Sequence, residues 1–328
     1  MKRILVTGGA GFLGSSLCER LVEDGHRVAS LDDLSRGTAA NLAALDGHER
    51  FDAFVADACD PDAYERAGAV LGGVDIVFHL AAVNGTKWFH ERARHVIRVN
   101  VNATLVALEA AEAWGARFVL ASSPEAFGES PDVPLMDTHA STFPPASSHQ
   151  RFAYGASKHL DEIAVHHAVA NGLDGRIVRP FNGYGPRLVG DVDGQVIAML
   201  FRAVLNHVPM SVHGDGQQTR SFTAVGDLVD GFVRAGLQER SVSTGEPLAG
   251  MAFNLAAREE VSILDLATAI NGIVGSRAVD IVLGGGYPGD SSRRVGDITN
   301  AEHHLGWRPT TALEAGLQLM WASLSGAP

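Results

Sequence analysis

Short apolar runs alternate with amphipathic stretches along the first 180 residues of the chain. The apolar runs predict strands at residues 3–7, 27–31, 51–56, 75–80, 118–121 and 176–179. Apolar residues at helical spacing predict helices at residues 11–24, 38–45, 60–71, 88–113 and 154–170. Strands and helices that alternate in this way form a parallel sheet with helices on both faces.

Beyond about residue 180 the alternation becomes looser. Further helices are predicted at residues 195–207, 227–237, 263–274 and from 313, with short strands at 210–212 and 253–255. We therefore predict an α/β fold. Residues 1–180 form a Rossmann-type doubly wound parallel sheet, and residues 181–328 form a smaller C-terminal substrate-binding lobe, some segments of which return to the first domain.

The first predicted strand runs into a glycine-rich turn that the first helix follows. Residues 9–14 read Gly-Ala-Gly-Phe-Leu-Gly and match the G-x-G-x-x-G pattern. Glycines allow a tight turn and close approach to a pyrophosphate, which then faces the free N–H groups of the helix start. In this context the pattern predicts a dinucleotide site. Asp32 ends the next strand, where a carboxylate binds both ribose hydroxyls and repels a 2′-phosphate, so we predict NAD rather than NADP.

Two residues at the start of the helix at 154–170 suggest hydride-transfer chemistry. Tyr154 and Lys158 are four positions apart and therefore share one face of the helix. The Lys158 ammonium and a positively charged nicotinamide would favour the Tyr154 phenolate, which could take a proton from a substrate hydroxyl. Ser123, at the end of the fifth strand, could hydrogen-bond the same oxygen. We predict that these three residues are catalytic.

Composition limits the partners and the compartment. The formal net charge of −12 argues against a nucleic acid and against an anionic membrane surface as partner. No apolar stretch of the sequence has the length of a membrane span. The two cysteines have neither metal nor disulfide spacing, which predicts a reducing, cytoplasmic environment. We expect no metal site.

Further motifs make the chain resemble the extended short-chain dehydrogenases/reductases that act on nucleotide sugars. These motifs are Thr7-Gly8-x-x-Gly11-x-x-Gly14, His79-Leu80-Ala81-Ala82, Asn100, Ser122-Ser123, Tyr154-x-x-x-Lys158, Arg179-Pro180-Phe181-Asn182-x-Tyr184-Gly185-Pro186, Gly214-Asp215-Gly216 with Arg220, and Leu305-Gly306-Trp307-Arg308-Pro309. The resemblance covers essentially the whole chain. It implies bound NAD, a nucleotide-diphosphate sugar as substrate, and a homodimer formed through the helices at 88–113 and 152–170.

The resemblance also implies which residues contact each ligand. The cofactor contacts are Gly8, Gly11, Phe12, Leu13, Gly14, Asp32, Asp33, Ser35, Arg36, Gly37, Asp57, Ala58, Leu80, Ala81, Ala82, Asn100, Ser122, Tyr154, Lys158 and Pro180. The substrate contacts are Thr86, Ser123, Glu125, Asn182, Gln195, Val196, Arg220 and Arg293. Many members carry a phosphate-binding arginine where this chain has Tyr287, and Arg293 or Arg294 could replace it. We also expect Trp88, Phe89 and His90 near the sugar.

The residues after Ser123 bear on the reaction. Proteins that the chain resembles oxidise the sugar at C4 and differ in the step that follows. The 4,6-dehydratases commonly have an Asp-Glu pair here, but this chain has Pro124-Glu125, and proline cannot protonate a leaving group. The missing acid favours a 4-epimerase, which returns the hydride to the opposite face.

Two alternatives remain. Glu125 could be the base of a 4,6-dehydratase, a uronate decarboxylase or a C5 epimerase, or it could be a strand-end carboxylate without a catalytic role. In a different class, the protein could be a non-catalytic sensor of NAD or of a nucleotide sugar. The presence of both Tyr154 and Lys158 favours an enzyme.

Overall fold

A parallel sheet of seven strands forms the centre of the larger part of the molecule. The structure is a computed structural model, and it describes residues 1–148, 150–188, 195–286 and 289–326. Its strands are β1 (Arg3–Thr7), β2 (Arg27–Asp32), β3 (Phe51–Val55), β4 (Ile76–His79), β5 (Arg117–Ala121), β6 (Gly175–Pro180), β7 (Gly183–Tyr184), β8 (Met210–Val212), β9 (Thr219–Ser221), β10 (Thr223–Ala224), β11 (Ala252–Leu255), β12 (Glu260–Ser262), β13 (Ile281–Leu283) and β14 (Arg293–Arg294).

Helices cover both faces of this sheet and build the second lobe. They are α1 (Phe12–Glu23), α2 (Pro61–Leu71), α3 (Thr86–Glu91), α4 (Ala93–Trp114), α5 (Ala153–Ala170), α6 (Val196–Leu205), α7 (Val225–Leu237), α8 (Ile263–Val274) and α9 (Leu313–Ser325). Short 3₁₀ segments lie at Ala39–Leu45, Pro124–Phe127 and Gly275–Arg277, and a π-helical turn lies at Ala301–Leu305.

The strand order confirms the predicted doubly wound α/β fold. The sheet runs β3-β2-β1-β4-β5-β6-β11, and all of its neighbouring strands pair in parallel. The chain moves outward from β1 to β3, returns beside β1 with β4, and then moves outward in the other direction. Loops therefore diverge at the carboxyl ends of β1 and β4 and leave a crevice, where ligands bind in open α/β sheets.

Alternating side chains of the strands build one hydrophobic core on each face of the sheet. Ile4 and Val6 of β1 belong to the core under α1 and α7, whereas Leu5 belongs to the core under α2, α4 and α5. All three side chains are fully buried. Strands that are buried on both faces appear as continuous apolar runs, which explains why the sequence pattern located them.

Residues after β6 contribute to both parts of the molecule. Strand β11 extends the central sheet beside β6, and α7 packs on the first core. Helices α6, α8 and α9 enclose a third core around Phe201, Leu266 and Met320. The small sheets β8–β13 and β12–β9–β14 lie in this second lobe. The boundary between residues 180 and 181 stays a prediction.

Several predicted elements differ in the structure. The long helix expected at 88–113 is two helices, α3 and α4, because Arg92 leaves the helical conformation with φ −132° and ψ 32°. The helix expected at 38–45 is a 3₁₀ segment. The structure also has six strands of two or three residues that the pattern did not predict, β7, β9, β10, β12, β13 and β14. Within the described ranges, no helix combines the length and the apolar character that crossing a bilayer requires.

Candidate active site

The glycine turn between β1 and α1 leaves no space for side chains. Gly8 has φ +69°, and a Cβ on it would lie 2.8 Å from the backbone nitrogen of Ala81. A Cβ on Gly14 would lie 2.0 Å from the carbonyl oxygen of Gly8. The turn therefore packs directly on the chain after β4, and the N-terminus of α1 opens onto the crevice. This cradle fits a dinucleotide pyrophosphate.

Asp32 stands at the end of β2 and holds the glycine turn in place. Its carboxylate accepts hydrogen bonds from the backbone N–H of Ala10 at 3.0 Å and of Leu34 at 2.8 Å. Burial raises the pKa of Asp32, while these two donors favour the charged form. The carboxylate lines the crevice where the predicted ribose would lie.

A cavity of about 330 Å³ extends from the glycine turn to Tyr154 and Lys158. All but one of the predicted cofactor contacts line it: Gly8, Gly11, Phe12, Leu13, Gly14, Asp32, Asp33, Ser35, Arg36, Gly37, Asp57, Ala58, Leu80, Ala81, Ala82, Ser122, Tyr154, Lys158 and Pro180. The structure therefore brings together residues that come from seven separate segments of the sequence.

Asn100 is the predicted cofactor contact that does not line this cavity. Its side chain is fully buried in α4. The Asn100 Oδ1 accepts from the backbone N–H of Val83 at 2.7 Å, and its Nδ2 donates to the Ser157 hydroxyl at 3.0 Å. Asn100 on α4 thus links Val83, which lines the cavity, to Ser157 on α5. It supports the cavity wall without itself lining the cavity.

The predicted catalytic residues meet at one end of this cavity. Ser123 begins the 3₁₀ segment after β5, and Tyr154 and Lys158 lie on α5. The Tyr154 ring stacks on Phe89 with ring centroids 4.9 Å apart. Burial raises the pKa of Tyr154, the charges of Glu125 and Asp161 raise it further, and a hydrogen bond with Ser123 opposes them. The protein groups alone therefore favour the protonated form of Tyr154. The phenolate expected from the sequence depends on the nicotinamide charge together with that of Lys158, and it stays a prediction.

A second cavity of about 640 Å³ adjoins the first. Six residues line both cavities: Asn84, Glu125, Asn182, Gly183, Gln195 and Arg294. Of the other predicted substrate contacts, Thr86, Val196 and Arg220 line only the second cavity, and Ser123 lines only the first. Phe89 also lines the second cavity, as expected for a residue near the sugar, whereas Trp88 and His90 line neither cavity.

The structure does not bring Arg293 to either cavity. Its guanidinium is exposed and pairs with Glu260 through contacts of 2.7 and 2.9 Å. Successive residues of a strand point to opposite faces, so the neighbouring Arg294 faces both cavities instead. Of the two arginines that the sequence left open, Arg294 is the one at the site. Tyr287, whose place many similar proteins fill with arginine, lies outside the described residues.

Glu125 lies between two arginines where the cavities join. Its Oε1 is 2.9 Å from Arg151 Nη2 and 2.7 Å from Arg294 Nη1. Burial alone would raise the pKa of Glu125, but Arg294 and Arg151 outweigh burial and lower the pKa to about 2. Glu125 is therefore a charged ion-pair partner at neutral pH and a very weak base.

Arg151 is a site residue that the sequence analysis missed. Its side chain is almost fully buried, yet its Nε and Nη1 have no hydrogen-bond partner within the described residues. It lines the second cavity, with its guanidinium 5.4 Å from the centre of the Phe89 ring. Its position gave a clue, because Arg151 lies only three residues before Tyr154. An arginine in a polar loop is, however, typical of a solvated surface.

Comparison with known proteins adds three findings. Residues 4–256 match the model of the NAD dependent epimerase/dehydratase family. UDP-glucuronic acid decarboxylase 1 of Arabidopsis thaliana is 34% identical over 97% of this chain and 68% of its own. UDP-glucose 4-epimerase of Mycolicibacterium smegmatis is 35% identical over 96% of each chain.

The likeness extends to solved structures. The UDP-glucuronic acid 4-epimerase of Bacillus cereus, in complex with UDP-glucuronic acid and NAD, is 27% identical, with a TM-score of 0.84 over 99% of this chain and 97% of its own. The similarity therefore spans both lobes.

Proposed function

The chain belongs to the NAD dependent epimerase/dehydratase family, and we propose that within it the protein is a UDP-sugar 4-epimerase. This membership confirms the family that the motifs indicated. It also confirms the prediction that NAD is the cofactor. The crowded glycine turn, Asp32 and the shape of the first cavity fit this cofactor. When bound, NAD supplies a reversible hydride acceptor beside Tyr154. UDP is proposed because the relatives and the structure compared above are named for UDP-sugars.

Three residues carry the proposed redox step. Tyr154 takes the proton of the sugar C4 hydroxyl as the C4 hydride leaves, and gives it back when the ketone is reduced from the other side. Ser123 donates a hydrogen bond to the same oxygen in both directions. Lys158, buried beside Tyr154, keeps a positive charge near the reacting oxygen.

The state of Glu125 is the observation that favours epimerisation. A 4,6-dehydratase must remove the C5 proton with a base and protonate the leaving C6 hydroxyl with an acid. Glu125 is paired with Arg151 and Arg294 and has a pKa of about 2, and the neighbouring Pro124 has no proton to give. An epimerase needs neither group, since the ketone only has to turn in the second cavity.

The experiment is product analysis without an external reductant. The purified protein is incubated with UDP-glucose, UDP-galactose, their N-acetyl forms and UDP-glucuronic acid, and products are followed by mass spectrometry and proton NMR. The proposal expects an unchanged mass with an altered H4 coupling for at least one sugar, and no reaction in Tyr154→Phe. Loss of water would contradict it, and no reaction with any sugar would leave the sensor alternative in its place.

Arg151 favours a second candidate, decarboxylation of a UDP-uronate. Arg151 and Arg294 both line the second cavity, and two buried nitrogens of Arg151 have no hydrogen-bond partner within the described residues, so the pair could bind a carboxylate at sugar C6. Oxidation at C4 would make this acid a β-keto acid, which loses carbon dioxide without a base, and Glu125 would repel the bound carboxylate. One relative is named as a UDP-glucuronic acid decarboxylase.

UDP-glucuronic acid separates the two reactions. Loss of carbon dioxide would show decarboxylation, whereas an isomer of the same mass would show 4-epimerisation of a uronate. Arg151→Met should raise the KM for UDP-glucuronic acid at least tenfold and leave the KM for a neutral UDP-sugar within a factor of three. Equal effects on both sugars would remove the support that Arg151 gives to a carboxylate site.

A further inference from the structure

A buried aspartate contacts the predicted catalytic lysine. Asp161 lies three residues after Lys158 on α5, and its Oδ2 is 3.3 Å from Lys158 Nζ. The two side chains are 0% and 1% exposed. Tyr154, Lys158 and Asp161 are spaced i, i+4 and i+7, so they share one face of the helix. Nothing in the proposed redox step requires this carboxylate.

The other charges near Asp161 already have partners. On α5, Glu162 binds Arg179 through two contacts of 2.7 Å. After β5, Glu125 binds Arg151 and Arg294.

From α4, the Thr104 hydroxyl lies 3.2 Å from Nε2 of His79 on β4, and within the described residues neither Asp161 oxygen has a hydrogen-bond partner. His79 is fully buried, and burial lowers its pKa to about 3, so it is neutral. Burial raises the pKa of Asp161 and the Lys158 ammonium opposes this shift, so among the described residues Asp161 is the carboxylate that pairs with Lys158.

This pairing changes the electrostatics of the site in two ways. A buried ammonium is stabilised by an anion beside it, and the Asp161 carboxylate, 3.3 Å from Lys158 Nζ, is placed to do this. The same carboxylate cancels much of the attraction between the ammonium and a Tyr154 phenolate. Both effects act through Lys158 and need no contact between Asp161 and a ligand, and Asp161 does not line either cavity.

We propose that Asp161 is a positioning residue that anchors the Lys158 ammonium and offsets its charge, so that Tyr154 holds its proton more firmly than beside an unpaired lysine. This inference rests on the proposed roles of Tyr154 and Lys158. In Asp161→Asn, a Tyr154 phenolate would become the nearest free anion for Lys158. Ionisation of Tyr154 would therefore begin at lower pH.

The test measures the phenolate directly and needs no sugar. Absorbance at 295 nm is followed against pH for the NAD-saturated protein, with the Tyr154→Phe protein subtracted to isolate Tyr154. The same pair is measured in the Asp161→Asn background. We expect the onset of Tyr154 ionisation to move down by roughly one pH unit. Glu109→Gln removes an equal charge from an exposed position of α4 and should leave the onset unchanged.

The outcomes are distinct. An onset that stays in place or moves up in Asp161→Asn overturns the proposal, because Lys158 would then have lost its proton instead. If Asp161→Asn does not fold, Asp161→Ser removes the same charge with a smaller side chain and should give the same downward shift. Failure of every UDP-sugar to react would refute the proposed function and leave this titration valid.

Where a sugar does react, a second readout applies. The acidic limb of kcat against pH should move down in Asp161→Asn, while the KM for the sugar stays within a factor of two. A loss of kcat without a shift of the limb would indicate a purely structural role and would contradict the proposal.

Discussion

Among single residues, the charge state of Glu125 separates 4-epimerisation from 4,6-elimination, which needs a base. Because its pKa is about 2, it stays ionised from pH 5 to pH 9 and cannot produce a limb in the pH profile there. We expect Glu125→Gln to retain kcat within about tenfold, whereas Tyr154→Phe loses about a thousandfold, the usual contribution of a general base. Initial rates on the reacting UDP-sugar, with thermal unfolding to verify folding, measure both.

The contrary result has a clear meaning. If Glu125→Gln lost as much activity as Tyr154→Phe while remaining folded, Glu125 would be a base in the reaction. Elimination or C5 chemistry would then replace 4-epimerisation as the best account of the site.

Asp137 is a single residue that should make the free energy of unfolding depend on pH. Its buried carboxyl has one ion-pair contact, 3.4 Å from Arg179, and burial raises its pKa to about 7. The folded protein therefore binds a proton that the unfolded chain releases near pH 4, so the free energy of unfolding falls as pH rises from about 4 to 7.

Asp137→Asn should remove this dependence. Relative to the wild type, we expect the variant to gain on the order of 2 kcal/mol between pH 5 and pH 8. Urea unfolding of both proteins at the two pH values measures the difference. Parallel changes in the two proteins would show that Asp137 is ionised in the folded protein at pH 5.

At the level of elements, the glycine turn depends on the contact between its two ends. A Cβ on Gly14 would lie 2.0 Å from the Gly8 carbonyl oxygen. Neither residue can move away easily, because Gly8 follows β1 directly and Gly14 lies in α1. We expect Gly14→Ala to weaken NAD binding at least tenfold and to lower the free energy of unfolding by about 1–3 kcal/mol. NAD titration calorimetry and urea unfolding test these values.

Gly272 offers a matched control for this substitution. It lies in α8, and no atom lies within 4 Å of a Cβ built on it. Gly272→Ala should raise stability by about 0.5–1 kcal/mol, because alanine favours a helix, and should leave NAD binding unchanged. A Gly14→Ala protein that binds NAD normally would show that the turn adjusts.

The elements differ in how well the sequence predicted them. The six strands before residue 181 were located from their apolar runs. Burial on both faces explains these runs in the inner strands β1 and β4, whereas the edge strand β3 is half exposed. The break between α3 and α4 was not predicted, since arginine and alanine at positions 92 and 93 both favour helices. The cofactor contacts followed from local motifs. Asp161 lies on the same helix face as Tyr154 and Lys158 but matches no motif, and the role of Arg151 depends on its packing against Glu125 from another segment.

On the scale of the whole molecule, α4 and α5 present an apolar surface that the chain itself leaves uncovered. Ile97 and Leu105 on α4 are 41% and 44% exposed, and Leu160 and Ile163 on α5 are 47% and 52% exposed. The two helices pack side by side, and we refer to these four exposed apolar residues as the stripe. Buried against a second copy, each such side chain contributes about 1–2 kcal/mol, which supports the homodimer predicted from the resemblance.

This surface predicts the mass of the protein in solution and a link to the site. Light scattering at micromolar concentration should give twice the 34.6 kDa of the chain. The pair Leu105→Glu with Ile163→Glu should give the single-chain mass, whereas Leu319→Glu, a change of equal kind on α9, should leave the mass doubled.

Helix α5 carries Tyr154 and Lys158 on its inner face and Ile163 on its outer face. We therefore expect dimer formation to stabilise the helix that holds the predicted catalytic residues. The variant with the single-chain mass should also have a lower melting temperature than the wild type. A wild-type protein with the mass of one chain would refute the dimer. The stripe would then have to bind a different partner.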